Sequence, residues 1–125
     1  MSRSDFEQWV DRYQAAWRTD DPDEIAALFT EDATYLTLPF REPWRGREAI
    51  VRNWLAQGDS QNQWSFEGEV LATEGDTGVV QGLTTYAATE TSPEAAYGNI
   101  WVVRLALDGR ATSFAEWWIQ RPDRA

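Results

Sequence analysis

Apolar side chains at Phe6, Val10, Tyr13 and Trp17 recur at i, i+4, i+7 and i+11, which is one face of an α-helix. Ser4-Asp5-Phe6-Glu7 ahead of them has the form of a capping box, so a first helix is expected from there to about Arg18. Its geometry turns Tyr13 inward, with a hydroxyl that needs a partner. Asp21 suits an N-cap and Pro22 a first helical position, with Asp23 and Glu24 at the positive end. The second helix is short, with Ile25, Leu28 and Phe29 as its buried edge and Phe29 as its end. A strand is expected from Ala33 to just before Pro39. Tyr35 and Thr37 share one face; Thr34, Leu36 and Leu38 share the other. With no Lys or Arg in it, this strand suits the wall of a mixed pocket. A Pro-bounded loop leads to Gly46, which opens a third helix with the stripe Ile50, Val51, Trp54, Leu55 and an αL stop at Gly58. Arg47 and Arg52 lie off that stripe and are expected in solvent.

From Gln63 onward the period changes to two. Trp64, Phe66 and Val70 alternate with Ser65, Glu67 and Glu69. Glu74-Gly75-Asp76 is a turn, and residues 77–87 form the next strand. A polar loop at 89–95, a strand at 97–107, a hairpin signal at Asp108-Gly109 and a last strand at 111–120 complete the chain. No linker or repeat interrupts it, so residues 1–125 read as one domain. The order predicts an α+β architecture, a mostly antiparallel sheet with helices on one side. The last two strands are apolar on both parities. Asn99, Trp101, Val103 and Leu105 go with Phe114, Glu116 and Trp118; Ile100, Val102 and Ala106 go with Ala115, Trp117 and Ile119. Three modest helices cover one face only. The other predicts a homodimer through Val102, Ala115, Trp117 and Ile119.

Composition narrows the chemistry. The chain carries a net charge of −10, and no basic patch of the kind a nucleic-acid binder needs is visible. It has no Cys, hence no disulfide or thiolate nucleophile, and no His, hence no Ser-His-Asp triad and no imidazole metal ligand. The Asp20-Asp21 cluster reads as capping chemistry, so no metal or other cofactor is expected. No apolar run approaches a membrane span and no signal pattern opens the chain, which makes a cytoplasmic location the expectation. Eight Trp, four Tyr and five Phe suit either an aromatic-lined cavity or a core built from Trp.

Glu116 is the residue the pattern isolates, since it shares its face with Phe114 and Trp118. If that face is enclosed, aromatics surround the carboxylate, and desolvation favours its neutral form and suits it to proton transfer. A structural pairing with an Arg, or a bulge that reverses the parity, is the alternative.

Three runs carry a resemblance: residues 10–16 (VDRYQAA), 25–34 (IAALFTEDAT) and 42–50 (EPWRGREAI). They resemble the nuclear transport factor 2-like superfamily, whose bacterial members include ketosteroid isomerases, polyketide cyclases and limonene epoxide hydrolase. The resemblance implies a cone, a strongly curved sheet wrapped around three N-terminal helices, with a pocket at the wide end and frequent dimerisation. The isomerase's helix Tyr is matched here by Tyr13. Its catalytic base position falls at about Thr37 and its late-strand acid at about Trp101, neither of which can do that work. The use of a neutral carboxylic acid as donor in ketosteroid isomerase is itself a standard example of pKa tuning. Glu116 matches a pocket-facing position that is normally uncharged. The pocket His of the cyclases has no counterpart, and Arg104 has the wrong parity for the Asp-Arg-Asp set of the epoxide hydrolase.

Three readings stay open. In the first the chain is a cofactor-independent isomerase, cyclase or hydrolase-like enzyme on a mostly apolar carbonyl-type compound. Glu116 is then its acid or base, and Tyr13 and Tyr35 are oxygen-binding donors. Thr37, Phe40, Trp44, Trp54, Asn99, Trp101, Phe114 and Trp118 would bind and enclose the ligand. In the second the same pocket binds a small molecule without turnover. In the third the cone is filled with Trp and serves as a structural dimer.

Overall fold

The computed structural model describes residues 1–58 and 63–122. In chain order the elements are α1 (Arg3–Thr19), α2 (Pro22–Ala26), β1 (Phe29–Leu36), β2 (Trp44–Arg45), α3 (Arg47–Gln57), β3 (Trp64–Glu74), β4 (Thr77–Tyr86), β5 (Ala95–Leu105) and β6 (Ala111–Gln120). The six strands form one curved, open sheet in the order β2-β1-β6-β5-β4-β3. Every pairing is antiparallel except β1 with β6. The fold is α+β, with the aromatic side of α1 and Trp54 of α3 set against the inner face of the sheet.

α1 starts two residues earlier than its sequence motif suggested. Ser2 is the N-cap and Asp5 completes the capping box: the Ser2 hydroxyl accepts from Asp5 N–H and the Asp5 carboxylate accepts from Ser2 N–H. The Ser2 backbone N–H first, and then the Ser2 side chain, hold the Asp5 carboxyl below the ordinary carboxylate range. Glu7, released from the expected capping role, pairs with Arg3 at 3.6 Å. Both ends of α1 are tied to β3, Arg3 donating to Val70 O and Arg18 to Trp64 O. The buried side of α1 is Phe6, Trp9, Val10, Tyr13 and Ala16. Trp9 belongs to it because its indole N–H reaches Leu28 O at 3.0 Å.

α2 is capped by Asp21 as expected, but ends at Ala26 rather than Phe29. Phe29 instead begins β1, paired with Ala111 of β6, and a register shift separates that pair from Thr34↔Ser113. Thr37 and Leu38 lie beyond the end of β1. β2 was not foreseen: two residues carry no periodicity, and the strand exists because Trp44 and Arg45 pair with Tyr35 and Thr34. Gly46 then opens α3 at φ 86°. Arg47, expected in solvent, is half-buried and donates to Phe29 O at 3.5 Å, and Leu55 is more exposed than its stripe implied. β5 begins and ends two residues before the expected bounds, leaving Leu107 fully exposed in the hairpin.

The inner face carries a notch. Gly68 of β3 and Gly82 of β4 are paired directly, and the Phe66 ring lies over both. A Cβ on Gly82 would stand 2.4 Å from that ring. The notch lets Phe66 lie parallel to Trp101, with centroids 4.8 Å apart. Gly98 on the outer face of β5 has nothing within 4 Å of its Cβ direction. Among the described residues no helix is long and apolar enough to cross a membrane.

Candidate functional site

The wide end of the inner face holds a half-open cleft of roughly 840 Å3. It lies between α1, α3, the loop after β1, the 87–95 loop and the ends of β4, β5 and β6. Glu116 is the one acidic side chain among the described residues that line it. On β6 this residue stands directly opposite Trp101 of β5, and Asn99 stands opposite Trp118. Glu116 Oε2 accepts from Asn99 Nδ2 at 2.7 Å and from the Trp101 indole N–H at 3.0 Å.

One member of this network fixes the orientation of the rest. An indole N–H can only donate, so the Glu116 oxygen it meets is an acceptor. Asn99 must then present its NH2 to that oxygen and its carbonyl to the other side, where the Thr84 hydroxyl donates to it at 2.8 Å. Thr84 and Asn99 are the two buried polar residues of the described chain. The carboxylate therefore differs from the expected one enclosed by aromatics alone: Phe114 and Trp118 flank it along β6, but two N–H groups have replaced water at one of its oxygens. No buried side-chain polar atom is left without a partner among the described residues.

A second polar group faces the same cleft. Tyr13 of α1 and Tyr35 of β1 meet hydroxyl to hydroxyl at 2.6 Å. Their rings both lie nearly parallel to Phe114, at 5.3 and 4.3 Å, and Trp44 stacks on the outer side of Tyr35 at 4.7 Å. Rings packed in this way leave each phenol little rotational freedom, so the hydroxyls are held in place by the core beneath them. Trp54 lines the cleft beside Tyr13 and is anchored through its indole N–H to Asp20 Oδ1 at 3.0 Å. Thr37 also lines it, and its carbonyl accepts the Trp118 indole N–H at 3.1 Å.

The cleft thus brings together Tyr13, Tyr35, Thr37, Trp54, Asn99, Trp101, Glu116 and Trp118. Three residues expected in the lining are elsewhere. Phe114 is buried beneath the two tyrosines, because it lies one layer deeper on the same strand face. Trp44 covers Tyr35 from outside the cleft, as its pairing in β2 requires. Phe40 is fully exposed, because a turn directs it into solvent. Conversely, Arg41, Thr84, Tyr86, Tyr97 and residues of the 87–95 loop line the cleft and were missed. Thr84 and Tyr86 share parity with the buried Val80, and Tyr97 with Asn99, so strand alternation could have found those three. Nothing in the sequence marks Arg41. Among the described residues, no group of three or more Asp and Glu is arranged to hold a metal ion.

Residues 10–114 match the family model of the SnoaL-like domain. No curated protein sequence matches the chain. Among solved structures, one similar fold is the epoxide hydrolase/cyclase-like enzyme SalBIII, described as acting in pyran ring formation in the polyether salinomycin. It has a TM-score of 0.75 and 19% identity over 90% of this chain and 89% of that one. Another is a ketosteroid isomerase-like protein from Erwinia carotovora atroseptica SCRI1043, with a TM-score of 0.67 and 21% identity over 93% of this chain and 94% of that one.

Proposed function

Since the chain belongs to the SnoaL-like family of the nuclear transport factor 2-like superfamily, we propose that its cleft is the active site of a cofactor-independent enzyme. Its reaction is an isomerisation, cyclisation or water addition on a mostly apolar compound with a carbonyl-type oxygen. The observation that carries this reading is the inward Glu116 carboxylate, held by Asn99 and Trp101 in the cleft that Tyr13 and Tyr35 also line.

The geometry divides the work. Proton transfer is assigned to the Glu116 carboxyl, whose Oε2 accepts two N–H bonds. The two donors set the plane of the carboxylate and thereby its approach to a substrate C–H or O–H. The tyrosine pair supplies the other half. A ligand oxygen that takes a hydrogen bond from one phenol benefits from the second, because the inner O–H···O bond polarises the outer one. Charge developing on that oxygen is then stabilised by donors already in place. Trp54, Trp101 and Trp118 exclude water around the reacting atoms.

The test is turnover of a panel of enones, epoxides and hydroxy-ketones by wild type and Glu116→Gln, with binding followed by Trp fluorescence. Gln keeps an oxygen that can accept from Asn99 and Trp101, so the cleft keeps its shape while proton transfer is lost. Turnover should fall at least about 100-fold with binding nearly intact. Saturable binding with no turnover of any class by wild type would instead select the non-catalytic binder. A cleft lined by Tyr13, Tyr35 and Glu116 favours these two readings over a cone filled with Trp.

The same reading includes a homodimer through the outer face of the sheet. Trp117 and Ile119 are 45% and 79% exposed there, and Leu83 and Ile119 flank Gly98 in one cross-strand row with no charged side chain between them.

A further inference from the structure

Arg41 is the one cation among the described residues that line the cleft, as Glu116 is the one anion. The two charges come from separate parts of the fold, Glu116 from a central strand and Arg41 from the loop that follows β1. The chain takes an unusual course to put Arg41 there. Arg41 N–H closes a turn on Leu38 O at 3.2 Å, with Pro39 in the second position and Phe40 at φ 73° in the third. That is the form of a type II turn, whose third position is normally Gly because a side chain with positive φ is strained. Phe40 bears the strain with its ring wholly in solvent, so no packing of its own accounts for the conformation. What the turn does achieve is to bring Arg41 back over the sheet. Its guanidinium carbon lies 5.6 Å from the centre of the Trp118 ring, which is itself fixed by the hydrogen bond to Thr37 O.

The neighbouring charges do not account for Arg41 either. Glu42 pairs with Arg45 at 3.3 Å, and Arg41 has no carboxylate partner among the described residues. A guanidinium held against an aromatic face, with its five N–H donors beside an open cleft, is the arrangement that receives a carboxylate. It also occupies the aromatic face on which a ligand cation would otherwise stack.

Building on the enzymatic reading above, we propose that Arg41 selects the ligand's charge. The cleft takes an organic acid, its carboxylate on Arg41 at the rim and its reacting carbonyl end at Glu116 and the tyrosine pair. The opposite charges fix the orientation. A carboxylate turned toward Glu116 would be repelled, and the net charge of −10 makes Arg41 the local exception that admits an anion.

Equilibrium dialysis of cinnamic acid and 5-phenylpenta-2,4-dienoic acid against their methyl esters tests this on wild type, Arg41→Gln and Glu116→Gln. Each acid should bind wild type roughly 10-fold or more tightly than its ester. The preference should weaken as salt is raised. Arg41→Gln should bring acid binding down to the ester level without changing the ester. In Glu116→Gln the acid should bind at least as well as in wild type. Equal binding of acid and ester to wild type, or an acid preference that survives Arg41→Gln, overturns the role of Arg41 and leaves the small-molecule cleft standing. No saturable binding of either form removes the cleft reading and this inference with it.

Discussion

Replacing Gly82 by Ala adds one methyl group at the most constrained point of the inner face. That Cβ would stand 2.4 and 2.5 Å from Phe66 Cε1 and Cζ and 3.3 Å from the backbone oxygen of Glu67. Ordinary carbon contacts begin near 3.4 Å, so the ring must retreat by about 1 Å. It has little room to do so, being stacked 4.8 Å from Trp101 and tilted against Trp17 at 5.6 Å. Overpacking of this kind costs about 1–3 kcal/mol. For a domain of this size that lowers Tm by roughly 4–12 °C. The displacement also reaches the cleft, because Trp101 is the neighbour that gives way and its indole N–H is one of the two donors on Glu116. Calorimetric unfolding together with near-ultraviolet circular dichroism reads both effects. Gly98→Ala, compared in the Ile119→Glu background to keep the chain monomeric, is the matched control: it lies on the adjacent strand with open space at its Cβ, and should be neutral or raise stability by about 0.5 kcal/mol. Phe66→Leu combined with Gly82→Ala should recover part of the loss. Unchanged Tm in Gly82→Ala, or an equal loss in Gly98→Ala, would refute the steric argument.

Thr84→Val removes the hydroxyl that donates to Asn99 Oδ1 while keeping the side-chain shape; it should cost about 1–3 kcal/mol in urea unfolding and lower turnover by loosening the Asn99 bond to Glu116. Tyr35→Phe leaves one hydroxyl of the pair, so turnover should fall roughly 10- to 100-fold with ligand affinity changed much less, as paired kinetics and binding would show. Ile119→Glu places a charge on the outer face and should convert a dimer to a monomer in analytical ultracentrifugation with the cleft intact; a wild-type monomer would sink the dimer proposal. Because the folded Asp5 carboxyl lies below its ordinary value of 3.8, its capping contribution is present above that pH and is lost as pH falls through the lowered value; Asp5→Asn should remove this part of the acid dependence of unfolding.

The parities of β5 and β6 were legible because their pairing runs without interruption from Tyr97↔Gln120 to Arg104↔Ser113. Period-two alternation therefore carried Glu116 and Asn99 to the same face as Trp101. What alternation could not carry was the partnership among them. It depends on which side chains stand opposite across strands, and thus on register, and the Thr84 contribution comes from a third strand. Helix ends were missed by local competition: Ser2 and Ser4 both suit an N-cap, and the bonds of Asp5 decide between them. Phe40 and Arg41 were illegible for a different reason. Pro39 announces a turn but not its hand, and a positive φ at Phe40 runs against every local preference. The outcome reverses the two residues, aromatic to solvent and cation to the cleft.

The place of β6 in the sheet also governs when the site can exist. The last strand in sequence sits between β1 and β5, and its parallel pairing with β1 joins segments about two-thirds of the chain apart, as the Trp118 bond to Thr37 illustrates. Closing so long a loop is slow, and no earlier local pairing can stand in for it. During synthesis β1 and β5 therefore wait with unpaired edges until residues 111–120 are available, a period in which strand addition between chains competes with correct insertion. Glu116 and Trp118 arrive with that same strand. The step that covers those two edges is also the step that completes the cleft.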